Sequence, residues 1–84
     1  MPYTIVIRKA AEKYIAKLDR PTRLRIINAI QSLEENPESK GEQLTNHQAT
    51  YKLRVGSYRI LYDVLESEVT VDVLKVGPRG DVYN

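Results

Sequence analysis

The side chains that could do chemistry in this chain are lysines, arginines and tyrosines. Lys52, Arg54, Arg59, Arg79 and Tyr83 all fall in its C-terminal part. There is no cysteine, which excludes thiol nucleophiles, thiolate metal sites and disulfides. His47 is the only histidine, and it falls in a stretch that reads as a loop, so it is expected to be a surface residue. No His, Asp and Glu cluster has metal-ligand spacing, and no glycine-rich loop precedes a helix. Neither a metal nor another cofactor is expected. Ser57 lies in a turn with no histidine near it in sequence, so a serine triad has no support. Lys, Arg and Tyr suit phosphate chemistry. Cations hold phosphoryl oxygens and stabilise the charge that grows in the transition state. A Tyr or Lys can move a proton when neighbouring cations lower its pKa. Metal-free RNA cleavage through the ribose 2′-hydroxyl requires no more than this set.

These residues must be positioned by a short chain. Eighty-four residues predict one domain, spanning 1–84, with a modest core. Residues 3–7 read as a β-rich strand. From Lys9 the period becomes helical, with Ala10 or Ala11, Tyr14, Ile15 and Leu18 on one side, and an end near Leu18. Asp19 can cap a second helix with Pro21 in its first turn. Ile26, Ile27, Ile30 and Leu33 form its apolar stripe, and Pro37 predicts a stop near Asn36. Residues 37–49 read as a loop. Three strands follow, over about 50–55, 58–65 and 68–76, joined by Gly56-Ser57 and by a weaker turn at Glu66-Ser67. The expected fold is two-layer α+β in the order β-α-α-β-β-β. An antiparallel sheet would carry the helical hairpin on one face.

Two-residue turns would set the register. Val55 then faces Tyr58, Leu53 faces Ile60, and Tyr51 faces Tyr62. Beyond the second turn, Tyr62 would face Val71, Ile60 would face Val73, and Val64 would face Val69. These residues line an apolar side that should meet the helices. The opposite side would carry Lys52, Arg54, Arg59, Leu61 and Asp63, with Arg54 directly opposite Arg59. Like charges in a cross-strand pair repel, so this side either is a solvated surface or holds an anion. Asp63 and Asp72 share it further along and could relieve part of the repulsion.

After the last strand, two glycines and Pro78 predict a sharp bend that leaves Arg79 near the rim of the sheet. Tyr83 either covers an edge of the core or serves the site. Arg8, Lys9, Lys13, Lys17, Arg20, Arg23 and Arg25 oppose only Glu12 and Asp19 in the helical region. That surface is either ordinary solvated helix or a contact for an RNA backbone. The net charge of +2 is only mildly basic, and 42% apolar content suits a globular domain. No apolar run could span a membrane and no signal region opens the chain. A cytoplasmic protein without a membrane partner is expected.

The run from Tyr51 to Val64, YKLRVGSYRILYDV, followed by Val76-Gly77-Pro78-Arg79 and Val82-Tyr83, resembles the RelE toxins of the RelE/ParE superfamily. The first strand, the helical hairpin and the length also match. The two-residue hairpin turn and the Arg79–Tyr83 interval are shorter than in the best-known member. The resemblance implies the toxin of a type II toxin–antitoxin system. Such a toxin would be a ribosome-dependent endoribonuclease that cuts messenger RNA in the A site, with a cognate antitoxin as partner. It carries catalytic roles onto Lys52, Arg54, Arg59, Arg79 and Tyr83. It also makes ribosomal RNA the partner expected for the seven basic residues from Arg8 to Arg25. Two other readings remain. One is a ParE-like inhibitor of DNA gyrase, which needs no phosphate chemistry. The other is an inactive toxin that acts only as an antitoxin-binding co-repressor.

Overall fold

The computed structural model describes residues 2–45 and 47–78. The elements are β1 (Thr4–Ile7), α1 (Lys9–Ala16), α2 (Arg20–Ser32), α3 (Pro37–Lys40), β2 (Glu42–Leu44), β3 (His47–Val55), β4 (Tyr58–Leu65) and β5 (Thr70–Pro78). The expected two-layer α+β arrangement is present.

The helical hairpin forms for the reasons its sequence suggests. The Asp19 carboxylate accepts from the Thr22 backbone N–H at the start of α2, where Pro21 costs no hydrogen bond. Both helices tighten at their ends. Leu18 N–H donates to the Ile15 carbonyl, and the N–H groups of Leu33, Glu34 and Glu35 donate three residues back. Asn36 then takes a left-handed conformation with φ of 51°, and Pro37 opens α3. Ala11 and Ile15 of α1, with Ile26 and Ile30 of α2 and the following Leu33, are buried against the inner face of the sheet. That face supplies Tyr51, Ile60, Tyr62, Val64, Val71, Val73 and Val76.

The sheet order is β1-β5-β4-β3-β2. Four features differ from the sequence expectation. The sheet is mixed, because β1 lies parallel to β5. The segment read as a loop contains α3 and β2, and β3 begins at His47 rather than Thr50, so His47 stands in a strand. Three residues of strand and four of helix are too short to show a period. The second turn is a 3-10 turn over Glu66–Glu68, closed by Val69 in the left-handed region. Tyr62 therefore faces Val73 and Val64 faces Val71, two residues from the expected register. Last, β5 contains a bulge: Tyr62 pairs with Val73 but Leu61 pairs with Lys75, so Leu74 is the extra residue and Ile60 faces Val76.

The β3–β4 register is the expected one, residue for residue. Its turn has Gly56 at φ of 58°, whereas Ser57 is not in the positive-φ region. That is the type II′ pattern, whose twist suits a two-residue hairpin.

Candidate functional site

The outer face of the sheet, away from the helices, carries the predicted cations. Arg54 and Arg59 are direct cross-strand partners at the centre of the sheet. Arg54 is exposed, whereas Arg59 is only 8% exposed. Lys52 lies one outward position from Arg54 and pairs with Leu61. The sheet thus brings Lys52, Arg54 and Arg59 together. Arg79 and Tyr83 lie outside the described residues.

Lys52 has a neighbour that the sequence reading did not supply. Glu42 of β2 is its cross-strand partner, and the carboxylate stands 3.6 Å from the Lys52 ammonium. Gly41, just before β2, lies close against Tyr62 and the β3 backbone. A Cβ there would collide with the Tyr62 hydroxyl and lie 2.8 Å from the Lys52 carbonyl oxygen. The Tyr62 hydroxyl donates to the Pro37 carbonyl at 2.7 Å and its ring stacks on Tyr51. Burial pushes the Tyr62 phenol up to about 12, so it remains a neutral structural donor.

Asp63 and Asp72 share the outer face further along, as expected. They face one another on β4 and β5, at the far end of the outer face. Asp72 is engaged by Arg8 in a forked ion pair, with Nη2 to Oδ2 at 2.7 Å and Nε to Oδ1 at 3.0 Å. Asp63 accepts from the Thr50 hydroxyl. Asp63 and Asp72 thus lie toward the end of the outer face away from the Gly56 turn, whereas Glu42 stands beside Lys52. Arg8 is thereby committed to the sheet. Arg23 is half-buried and donates to the Leu18 carbonyl at 3.1 Å. Lys9, Lys13, Lys17, Arg20 and Arg25 are exposed, and they belong to the helical layer opposite the Arg54–Arg59 pair.

One further cation shares the outer face. Lys75 is exposed and faces Leu61 because of the bulge. Its sequence signal is a break in alternation, with apolar residues at 71, 73, 74 and 76. A cleft of about 630 Å³ lies elsewhere, lined by Glu38, Tyr51, Val64 and Glu66 among others. It contains none of the five predicted site residues and has acidic rather than cationic walls. Among the described residues, no group of three or more His, Cys, Asp or Glu could hold a metal ion.

The fold has close counterparts among known proteins. The family model described as the ParE toxin of the type II toxin–antitoxin system, parDE, matches residues 5–83. Toxin RelG of Mycobacterium tuberculosis is 32% identical over 85 residues, covering 99% of this chain and 98% of the relative. This chain is a RelE-like toxin of the RelE/ParE superfamily. The toxin–antitoxin complex RelBE2 of M. tuberculosis contains a chain that superposes with a TM-score of 0.84 at 28% identity, over 96% of this chain and 95% of that one. The archaeal RelE–RelB complex of Pyrococcus horikoshii gives 0.80 at 26% identity, over 96% and 99%. The RelE fold therefore holds across the described chain. No helix among the described residues is long and apolar enough to cross a membrane.

Proposed function

We propose that this RelE-like toxin is a ribosome-dependent endoribonuclease that cleaves messenger RNA in the A site and thereby stops translation. The observation that carries the reading is the Arg54–Arg59 pair. Two arginines face each other across central strands, and one is 8% exposed. Their mutual repulsion falls when a doubly liganded phosphate lies between them, and guanidinium suits that geometry.

The reaction is in-line attack of a ribose 2′-hydroxyl on the adjacent phosphorus. It forms a 2′,3′-cyclic phosphate and expels the 5′-oxygen, which leaves as a hydroxyl. Arg59 with Arg54 holds the phosphate and stabilises the pentacoordinate state. Lys52 or Tyr83 assists removal of the 2′ proton, and Tyr83 also orients the nucleotide. Arg79 supports the leaving oxygen. Arginine stays charged, so its part is electrostatic. These cations do the charge neutralisation that a metal would otherwise supply.

Several relatives of known structure are toxin–antitoxin complexes. We take a cognate antitoxin as this chain's partner too. Lys9, Lys13, Lys17, Arg20 and Arg25 on the helical layer provide contacts for ribosomal RNA, and the outer sheet face takes the message. The test is primer extension on a message in a purified translation system. Cuts within A-site codons, only when ribosomes are present, are expected. They should be lost with Arg59→Ala and Arg79→Ala. Cleavage near wild-type rates in both variants would sink these assignments. The ParE description of the matching family model favours gyrase inhibition as the second reading. It predicts an intact message and trapped double-strand breaks in purified gyrase reactions.

A further inference from the structure

The bulge at Leu74 has a consequence for the cationic face. Val73 and Val76 are both buried in the core although they are three residues apart. The extra residue is absorbed between them, and Lys75 emerges on the outer face, opposite Leu61. Bulges beside functional sites commonly re-aim one side chain in this way. Without the bulge, strand alternation would send Lys75 to the helix side.

The resulting position is defined by Arg59. Arg59 faces Arg54 on β3 and Gly77 on β5. Lys52 is the diagonal neighbour of Arg59 on β3, and Lys75 is its diagonal neighbour on β5, each about 7–8 Å away at Cα. Lys75 thus mirrors Lys52 about the central strand, some 10 Å from it across two strand spacings. Lys52 has Glu42 beside it, and Arg8 has Asp72. Lys75 is exposed and makes no ion pair among the described residues. Gly77 adds no side chain between Lys75 and the arginine pair.

We propose that Lys75 binds the RNA backbone phosphate next to the scissile one. A strand whose scissile phosphate lies on Arg54 and Arg59 then crosses β5 at Lys75. The contact is to phosphate, so it adds affinity without base preference. This inference rests on the nuclease reading above and extends its site by one residue.

The experiment uses ribosomes programmed with a message that carries a 2′-deoxy substitution in the A-site codon and so cannot be cut. Binding of wild-type, Lys75→Ala and Lys75→Arg proteins is measured against potassium chloride at fixed magnesium. Single-turnover cleavage of the normal message is measured in parallel. Lys75→Ala should weaken binding about tenfold. It should also lower the slope of log affinity against log salt by about 0.7, the loss of one phosphate contact on a single strand. Lys75→Arg should restore both. The cleavage rate at saturation should stay within about twofold, since Lys75 does not hold the scissile group. An unchanged slope and affinity in Lys75→Ala, with wild-type protein cutting normally, would overturn the proposal alone. Failure of the wild-type protein to bind or cut would overturn the nuclease reading and this proposal with it.

Discussion

At the residue scale, two buried side chains differ sharply in purpose. Arg59 and Tyr62 are three residues apart on one strand, and alternation sends them to opposite faces. Arg59 joins Arg54 on the outer face, and the proposed nuclease reading assigns it the scissile phosphate. Arg59→Ala should reduce cleavage by about 10²–10³-fold with little change in fold, since one donor to the transition state is lost. Single-turnover rates and circular dichroism check the two halves of that statement. Tyr62 acts in the core. Tyr62→Phe removes the donor to the Pro37 carbonyl and should cost about 1–2 kcal/mol in urea unfolding, without a matching loss of chemical rate.

At the element scale, the turns carry the testable strain. Val69 closes the 3-10 turn at φ of 50°, which is unfavourable for a β-branched residue. Val69→Gly relieves that clash at some entropic cost, and the net expectation is a gain of about 1 kcal/mol in unfolding free energy. Gly56 in the hairpin turn should behave oppositely. An added Cβ meets the strained φ and lies 3.1 Å from the Arg25 guanidinium, so Gly56→Val should destabilise. The same 3-10 turn adjoins α3. A hydrogen bond shared with Glu66, together with repulsion from it, raises the Glu38 carboxyl above its ordinary value. The folded protein then holds that proton more tightly than the unfolded chain. The pair's contribution to stability is complete below the unfolded Glu value and is lost as pH rises through the raised folded value. Glu66→Gln should flatten this dependence. Urea midpoints taken from about pH 4 to 7 would show it, and an unaltered slope would rule the pair out as its source.

At the scale of the whole molecule, charge is arranged in two layers. The outer sheet face offers Lys52, Arg54, Arg59 and Lys75, and the helical layer offers Lys9, Lys13, Lys17, Arg20 and Arg25. On the proposed nuclease reading, the sheet cations would take the message and the helical cations would meet ribosomal RNA. The double variant Lys13→Ala, Lys17→Ala should lower the salt slope of ribosome binding by about 1–2 and leave the cleavage rate at saturation unchanged. Much of this was legible in sequence where order is local. The Asp19 cap, the helical stripe through Ile26 and Ile30, and the Arg54–Arg59 pairing all follow from neighbours within one helix or across one two-residue turn. Sequence therefore determined the helical hairpin, the β3–β4 register and the three cations that share its outer face. Tertiary structure alone decided what depends on distant segments meeting. It placed β1 parallel to β5, brought Glu42 beside Lys52, and drew Asp72 to Arg8. It also turned Lys75 outward, because Val73 and Val76 both had to fill the core and the surplus residue could only bulge. Apart from the break in alternation before Lys75, local periodicity carries no information about such contacts; they are fixed by burial and by the pairing of strands far apart in the chain.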